Sequence, residues 1–300
     1  MDLFFISDSK NEAFRWLCSG HYRGTVQIIH GMMEHSARYA EFAHALNTEG
    51  FHVYAHNLPG HGSRALEKNQ LGHLPANGWL QMVDSVHSLF RYIQSTSSQP
   101  IFLFGHSMGS FLAQHVCALF QPKIHGMILS GTSYVSPFVS FFGKGFAKLG
   151  KLLKGESQKA VLLHYLIFSG YTRRIRHVKT LFDWLSRDEN RVQTYLHDPL
   201  CGQIGSFSFF YEFFSGLETL YSEKTMEHFP KDIPIYCISG TECPVGHYTQ
   251  GVKALTRHYQ KHGARDISSR FYEGGRHELI NEINRKEIYQ DVIEWVTRHL

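Results

Sequence analysis

Short apolar runs alternate with helical periodicities through the first 130 residues. Thr25-Val26-Gln27-Ile28-Ile29-His30, Phe51-His52-Val53-Tyr54-Ala55, Pro100-Ile101-Phe102-Leu103-Phe104 and Gly126-Met127-Ile128-Leu129-Ser130 each predict a strand. Between them, apolar residues recur at three- and four-residue steps. Tyr39, Phe42, Ala43 and Leu46 predict a helix that stops at Gly50. Trp79, Met82, Val83, Val86, Leu89, Phe90 and Ile93 share one face of a second, and Met108, Phe111, Leu112, His115, Val116 and Leu119 mark a third. Strands alternating with helices in this way predict an α/β chain with a mostly parallel, doubly wound sheet. Residues 3–7 and 14–18 are β-rich on either side of Asp8-Ser9-Lys10-Asn11, and predict an antiparallel hairpin that opens the sheet.

The alternation breaks at about residue 135 and resumes near residue 232. A stretch of helices and loops this long reads as an inserted domain rather than a connection. The chain thus divides into a first core segment (residues 1–134), a helical cap (residues 135–231) and a second core segment (residues 232–300). The sheet resumes at Ile233-Pro234-Ile235-Tyr236-Cys237-Ile238-Ser239 and ends with residues 268–272. Val252, Leu255 and Tyr259 mark the helix between those strands, and Ile288, Val292, Trp295 and Val296 the C-terminal one. The first helix of the insertion sets Lys144, Lys148, Lys151 and Lys154 opposite Phe141, Phe142, Leu149, Leu152 and Leu153. The favoured reading is an ordinary cap helix with a solvated lysine face; the alternative is a basic lid helix that contacts a membrane surface. Residues 207–221 carry Phe207, Phe209, Phe210, Phe213, Phe214, Leu217 and Leu220, so that helix is buried or lines a greasy pocket.

Composition narrows the function classes. A net charge of +4 on 300 residues is too small to argue for nucleic acid. There is no phosphate-binding glycine loop, zinc-finger spacing or internal repeat. The N-terminus lacks the basic start of a signal peptide, and no run approaches the roughly 18 apolar residues of a membrane span. Five scattered cysteines fit reduced thiols and a cytoplasmic protein. Among 21 histidines, His30 with His35 and His52 with His56 come nearest to ligand spacing, but neither pair has a third ligand at a convincing interval. No metal is expected.

The chemistry gathers on Gly105-His106-Ser107-Met108-Gly109, between a strand and a helix. That context makes Gly-x-Ser-x-Gly a nucleophile elbow, a sharp turn that lifts the serine hydroxyl clear of the sheet. It also sets the Met108 N–H at a helix start, where unpaired donors can face a developing oxyanion. Catalytic groups in parallel sheets collect at strand carboxyl ends, and residues 30–35, 57–63, 240–246 and 273–278 meet that condition too. A serine hydroxyl needs a base within reach, and His277, in the turn after the last strand, is the candidate. The Met32 N–H, in the loop after His30, is the candidate second oxyanion donor.

These residues resemble the α/β-hydrolase superfamily, and within it the monoacylglycerol lipase and lysophospholipase group, labelled serine aminopeptidase-like in bacteria. The resemblance rests on His30-Gly31-Met32-Met33-Glu34-His35-Ser36-Ala37-Arg38-Tyr39, Pro59-Gly60-His61-Gly62, the elbow, and Gly274-Gly275-Arg276-His277-Glu278. Phe182-Asp183-Trp184-Leu185-Ser186-Arg187-Asp188 and Asp198-Pro199-Leu200-Cys201-Gly202 extend it through the cap. It implies an eight-stranded, mostly parallel sheet flanked by helices, with the cap after the sixth strand. It also implies Ser107 as nucleophile, His277 as base and the Met32 and Met108 amides as oxyanion hole. The expected substrate is a small-molecule ester with one acyl chain, a monoacylglycerol or lysophospholipid, with no cofactor and no nucleic acid; peripheral membrane contact through the cap stays the alternative reading of its lysine helix, and the oligomeric state is left open.

One position departs from the family. Where Asp-Pro-Val-Gly is usual, this chain has Cys243-Pro244-Val245-Gly246. A thiol with a pKa near 8.5 is mostly neutral at pH 7 and a poor partner for an imidazolium. Glu242 is adjacent, with its side chain expected to point elsewhere. The departure keeps two rivals open: a non-catalytic acyl-lipid binding protein, and an aminopeptidase.

Overall fold

The structure is a computed structural model that describes residues 1–5 and 12–300. The turn expected between the first two strands lies outside the described residues. The first core segment contains β1 (Asp2–Phe5), β2 (Glu12–Trp16), β3 (Gly24–Ile29), α1 (Ala40–Thr48), β4 (Phe51–His56), α2 (Gly62–Glu67), α3 (Gly78–Thr96), β5 (Ile101–His106), α4 (Met108–Phe120) and β6 (Gly126–Ser130). Helices α5 (Pro137–Lys154), α6 (Val161–Phe168), α7 (Glu189–His197), α8 (Phe207–Leu220) and α9 (Glu223–Glu227) follow, and the chain closes with β7 (Ile235–Gly240), α10 (Gln250–Lys261), β8 (Ile267–Tyr272) and α11 (Arg285–Arg298). The eight strands form one sheet in the order β1-β2-β4-β3-β5-β6-β7-β8. Among the described residues the β1–β2 and β2–β4 strand pairs are antiparallel and the other pairs of the sheet parallel.

Both faces of the central strands are covered, which is why they read as continuous apolar runs rather than alternating ones. Phe102 and Phe104 of β5 point into a core shared with Phe42 and Leu46 of α1 and Val292 and Trp295 of α11. Leu103, between them, points to the opposite core, with Val83 and Val86 of α3 and Leu112 and Val116 of α4. β8 is the exception. It sits at the sheet edge, its middle residues are exposed, and Arg270 stands on it, a charge that discourages pairing with another chain.

One helix inverts the favoured reading of its faces. On α5 the aromatic and leucine positions point outward: Phe141, Phe142, Leu149, Leu152 and Leu153 are all more than half exposed, Leu152 at 75%. The buried face is instead the small one. Ser140, Gly143, Ala147 and Gly150 lie at steps of three, four and three residues and pack on α8; a Cβ at Gly143 would come 2.6 Å from the Phe214 ring, and one at Gly150 2.1 Å from the Phe207 ring. Small residues let the two backbones approach, and the large side chains of α8 fill the seam. Two of the four lysines are held down rather than solvated: Lys144 pairs with Glu218, and Lys151 lies 4.8 Å from the Tyr211 ring centre. Lys148 and Lys154 are exposed.

Candidate active site

Ser107 stands between β5 and α4 with φ 51° and ψ −120°, a strained backbone that a non-glycine residue holds only when its surroundings fix it. The glycines on either side explain how. A Cβ at Gly105 would lie 2.5 Å from the Gly109 carbonyl oxygen, and one at Gly109 2.1 Å from that of Ile29. Strand, turn and helix therefore close to backbone contact, with Ser107 at the apex. Its N–H donates to Ser130 O at 2.9 Å, which ties the turn to β6.

The loop after β3 lies against this turn. A Cβ on Gly31 would meet Ser107 Cβ at 3.2 Å and His106 Cδ2 at 3.1 Å. Buried His30 sets the loop's orientation. Its Nε2 accepts the Leu58 N–H at 3.0 Å, so its proton sits on Nδ1, which donates to Gly31 O at 2.8 Å. Burial, reinforced by His61, keeps this ring well below the usual histidine range and therefore neutral. In a trans peptide the N–H points opposite to the carbonyl, so holding Gly31 O fixes where the Met32 N–H points. Met108 opens α4, and its N–H has no acceptor inside the helix. Neither amide makes a backbone hydrogen bond among the described residues.

His277 is buried in the loop after β8, and that loop is gripped by residues 182–188. His277 N–H donates to Trp184 O at 3.3 Å, Glu278 N–H to Leu185 O at 2.7 Å, and Arg276 Nη1 to Asp183 O at 2.6 Å. The Trp184 ring lies 5.0 Å from the imidazole and the His106 ring 4.7 Å, while a Cβ on Gly131 would touch it at 2.9 Å. Burial, then the neighbouring His106, push the His277 pKa well below 6.5, and Glu278 opposes them.

The loop after β7 brings Cys243 to the imidazole: Sγ lies 3.3 Å from His277 Nδ1. The thiol is fully buried, and burial pushes its pKa up to about 11. It is uncharged at neutral pH. Its surroundings are nonetheless those of an anion, since the Gly246 N–H donates to Sγ at 3.4 Å and donors on Ser239 and Val245 also act on it. Glu242 is exposed, with its side chain away from this cradle.

Sequence reasoning missed an ionic cluster behind these groups. Glu34 accepts from the Gly31 N–H at 2.5 Å, from the Tyr39 hydroxyl at 2.8 Å and from Arg38. Arg38 in turn clamps Glu278 with both terminal nitrogens, at 2.7 and 2.6 Å. Burial alone would raise the Glu278 carboxyl, but Arg38 holds it at about 2. The four-residue step from Glu34 to Arg38 was the available signal; the partner 240 positions later had none.

The nearest thing to a metal centre among the described residues is His35, Asp198 and Cys201, whose donor atoms lie within 4.8 Å of one another. His35 Nε2 and Asp198 Oδ2 already satisfy each other at 2.8 Å, and burial holds the Cys201 thiol well above its usual pKa, so the trio is accounted for as a hydrogen-bonded pair beside a neutral thiol.

Ser107 and His277 open into a cavity of about 330 Å³. Its walls are apolar and come largely from the segment between β6 and β7, among them Phe168, Leu181, Phe210 and Phe213, with Met32 from the loop after β3 and Phe111 from α4. No Lys or Arg lines it among the described residues, and its two acids are Glu34 and Glu278.

A family model described as serine aminopeptidase, S33, matches residues 20–284. A monoglyceride lipase of Mus musculus is 26% identical over 291 residues, 95% of this chain and 86% of that protein. A protein of Bacillus subtilis named phospholipase YtpA is 23% identical, across 88% of this chain and 92% of its own. Among solved structures, a thermostable carboxyl esterase from Bacillus coagulans in complex with glycerol superposes with a TM-score of 0.89 at 29% identity, covering 99% of this chain and 97% of that one.

Proposed function

Because this chain belongs to the serine aminopeptidase S33 family of α/β-hydrolases, we propose that it is a serine hydrolase cleaving carboxylic esters of single-acyl-chain lipids. The observation that carries the reading is the meeting of a strained Ser107, a buried neutral His277 and an apolar cavity at one point. Ser107 attacks the ester carbonyl while His277 takes its proton. The Met32 and Met108 amides receive the oxyanion. The alcohol departs with the proton from His277, and water, activated by the same imidazole, releases the acid. Cys243 occupies the acid's place and orients His277 without supplying charge.

Size and lining narrow the substrate. A cavity of about 330 Å³ lies at the low end of the roughly 300–1,000 Å³ of small-molecule sites, room for one chain rather than two. A lining without Lys or Arg favours a neutral leaving alcohol, as in a monoacylglycerol, over a phosphate-bearing one. The same lining argues against an aminopeptidase. A free amino terminus needs an unengaged carboxylate, and Glu34 and Glu278 are both committed to Arg38.

In this reading residues 135–231 form the cap, residues 1–134 and 232–300 the core. Like the apolar face of α5, Leu162, Tyr165 and Leu166 of α6 are more than half exposed, and Tyr165 also lines the cavity. With Lys148 and Lys154 at its margin, that face would rest on a lipid surface and collect substrate from it. No helix among the described residues is long and apolar enough to cross a membrane. The unpaired cysteines suit a reducing, cytoplasmic setting.

The test is activity profiling. The protein should bind a fluorophosphonate probe and turn over a medium-chain monoacylglycerol, with little action on aminoacyl amides and less on the lysophospholipid of equal chain length. Probe labelling without turnover would favour the binding-protein alternative.

A further inference from the structure

We infer that the ionic triad Glu34–Arg38–Glu278 is a positioning unit for the reaction, holding the oxyanion loop and the base in one frame and placing a net negative charge behind His277 where the usual carboxylate is absent. The inference rests on the Ser107–His277 reading above.

Geometry supplies the first half. Glu34 binds the N–H of Gly31, one residue before the Met32 amide, and Glu278 directly follows His277. Arg38 joins the two carboxylates, so the two loops, 240 residues apart in sequence, share one rigid bridge. Asn281 Nδ2 donates to Glu278 Oε2 at 2.9 Å and Tyr39 to Glu34, which leaves every carboxylate oxygen partnered. Arg38 lies over the Tyr195 ring at 4.8 Å, which braces the unit against the helices between β6 and β7. A buried ion cluster is weak evidence for stability, because apolar residues of similar volume often serve as well. Three charged side chains with 3–11% exposure therefore point to position rather than stability.

Charge supplies the second half. Two carboxylates and one guanidinium leave one formal negative charge. The titratable groups that face His277 are His106 from the end of β5, Cys243 from the loop after β7, and Glu278 on its own loop; Tyr171, from the turn after α6, adjoins Cys243. Cys243 and Tyr171 are neutral, and His106 works against a positive ring. Glu278 is the one group among them that favours the imidazolium formed as the ester is attacked. Its charge acts through a low-dielectric interior, where screening is weak.

The experiment begins with the wild-type chain. Absence of both phosphonate labelling and hydrolysis of a medium-chain monoacylglycerol overturns the serine-hydrolase reading and this inference with it. With activity present, Glu278→Gln and Glu34→Gln, each removing the net charge with little change of shape, are compared by kcat, KM and the pH profile of kcat/KM. The same pair is made in a Cys243→Asp background, which lifts the acid limb of the profile into a readily measured range. Expected is a fall in kcat of about tenfold or more for Glu278→Gln with KM within about twofold, and a smaller fall for Glu34→Gln. The acid limb should move to lower pH by about half a unit or more, because the positive ring loses support. A limb that stays in place in the folded variants overturns the inference, as does loss of folding in both, which would make the triad a stability element.

Discussion

Two loops meet at the His277 imidazole, and they differ in kind. The turn at residues 105–109 keeps every feature its chemistry asks for: strained serine, flanking glycines, a helix start behind it. The loop at residues 243–246 keeps the shape and the hydrogen-bond donors of an anion site but holds a neutral thiol. The difference teaches that geometry and charge are separable. A backbone cradle persists when the group it was suited to is replaced by one of similar size, because the cradle is made by β7, α10 and the turn between them. What is lost is electrostatic support for a cation on His277, which no rearrangement of the cradle restores.

The most drastic way to probe the comparison is at the complete loop. Ser107→Ala should cut ester turnover by about 10⁴-fold or more and remove phosphonate labelling, with the melting temperature little changed. A covalent adduct on the variant would mean the nucleophile lies elsewhere. Next in size is a repair of the incomplete loop. Neutralising the carboxylate of a serine-protease triad costs about 10⁴ in rate, so Cys243→Asp should raise kcat by at least about tenfold. The donors around Cys243 are in place to receive a carboxylate, and the gain belongs in kcat because the charge acts on the transition state. An unchanged kcat in steady-state assays would show that the charge behind His277 already suffices.

How much of this was legible in the chain follows from range. β5 and α4 could be read because their apolar periodicity is local, and Ser107 because its glycines are adjacent in sequence. The face of α5 could not. Its large apolar residues and its lysines alternate as in any amphipathic helix, and only the fit of Gly143 and Gly150 against Phe214 and Phe207 shows which side is inside. The Arg38–Glu278 clamp was out of reach for the same reason: no local pattern marks a pair separated by 240 positions. Cys243 was the opposite case, visible because a familiar four-residue stretch differs at one letter, though its burial and its donors needed the fold.

The contrast between the loops also sets a pH signature. In the proposed mechanism His277 acts as a base only when neutral, and burial followed by His106 holds its pKa well below 6.5. The wild-type kcat/KM should therefore stay level from neutrality down through pH 6.5, with its acid limb below that. Cys243→Asp places a negative charge at Nδ1 and favours the imidazolium, so its limb should rise toward neutrality. A wild-type limb at or above pH 6.5 would contradict an imidazole whose burial outweighs the support it receives from Glu278. Smaller still, per step, is the response to chain length, which leaves both loops untouched. Each added methylene buried in the cavity contributes up to about 0.8 kcal/mol, or about fourfold in kcat/KM. Specificity should climb from acetyl to medium-chain esters and then level off as about 330 Å³ is filled. A flat series would rule out an apolar acyl site.

The smallest expected effect tests whether the acid has moved one residue. Glu242 is next to Cys243, and a carboxylate that swung inward would restore the missing charge without any change at position 243. The backbone opposes this. The turn closed by the Cys243 N–H on Gly240 O puts the Cys243 side chain inside and leaves Glu242 exposed. The Glu242 N–H donates to Gly275 O at 2.9 Å and the Cys243 N–H to Gly240 O at 3.2 Å, which fixes the stretch in this orientation. Bringing Glu242 inward would break those bonds and bury a carboxylate beside a site already filled by Sγ. Glu242→Gln should thus leave kcat and KM within about twofold of wild type, as surface substitutions away from a site usually do. The comparison is made with Cys243→Asp on one medium-chain ester at neutral pH. Loss of activity in Glu242→Gln together with no gain in Cys243→Asp would place the working acid at position 242, and the loop at residues 243–246 would then be the intact partner of the elbow rather than its contrast.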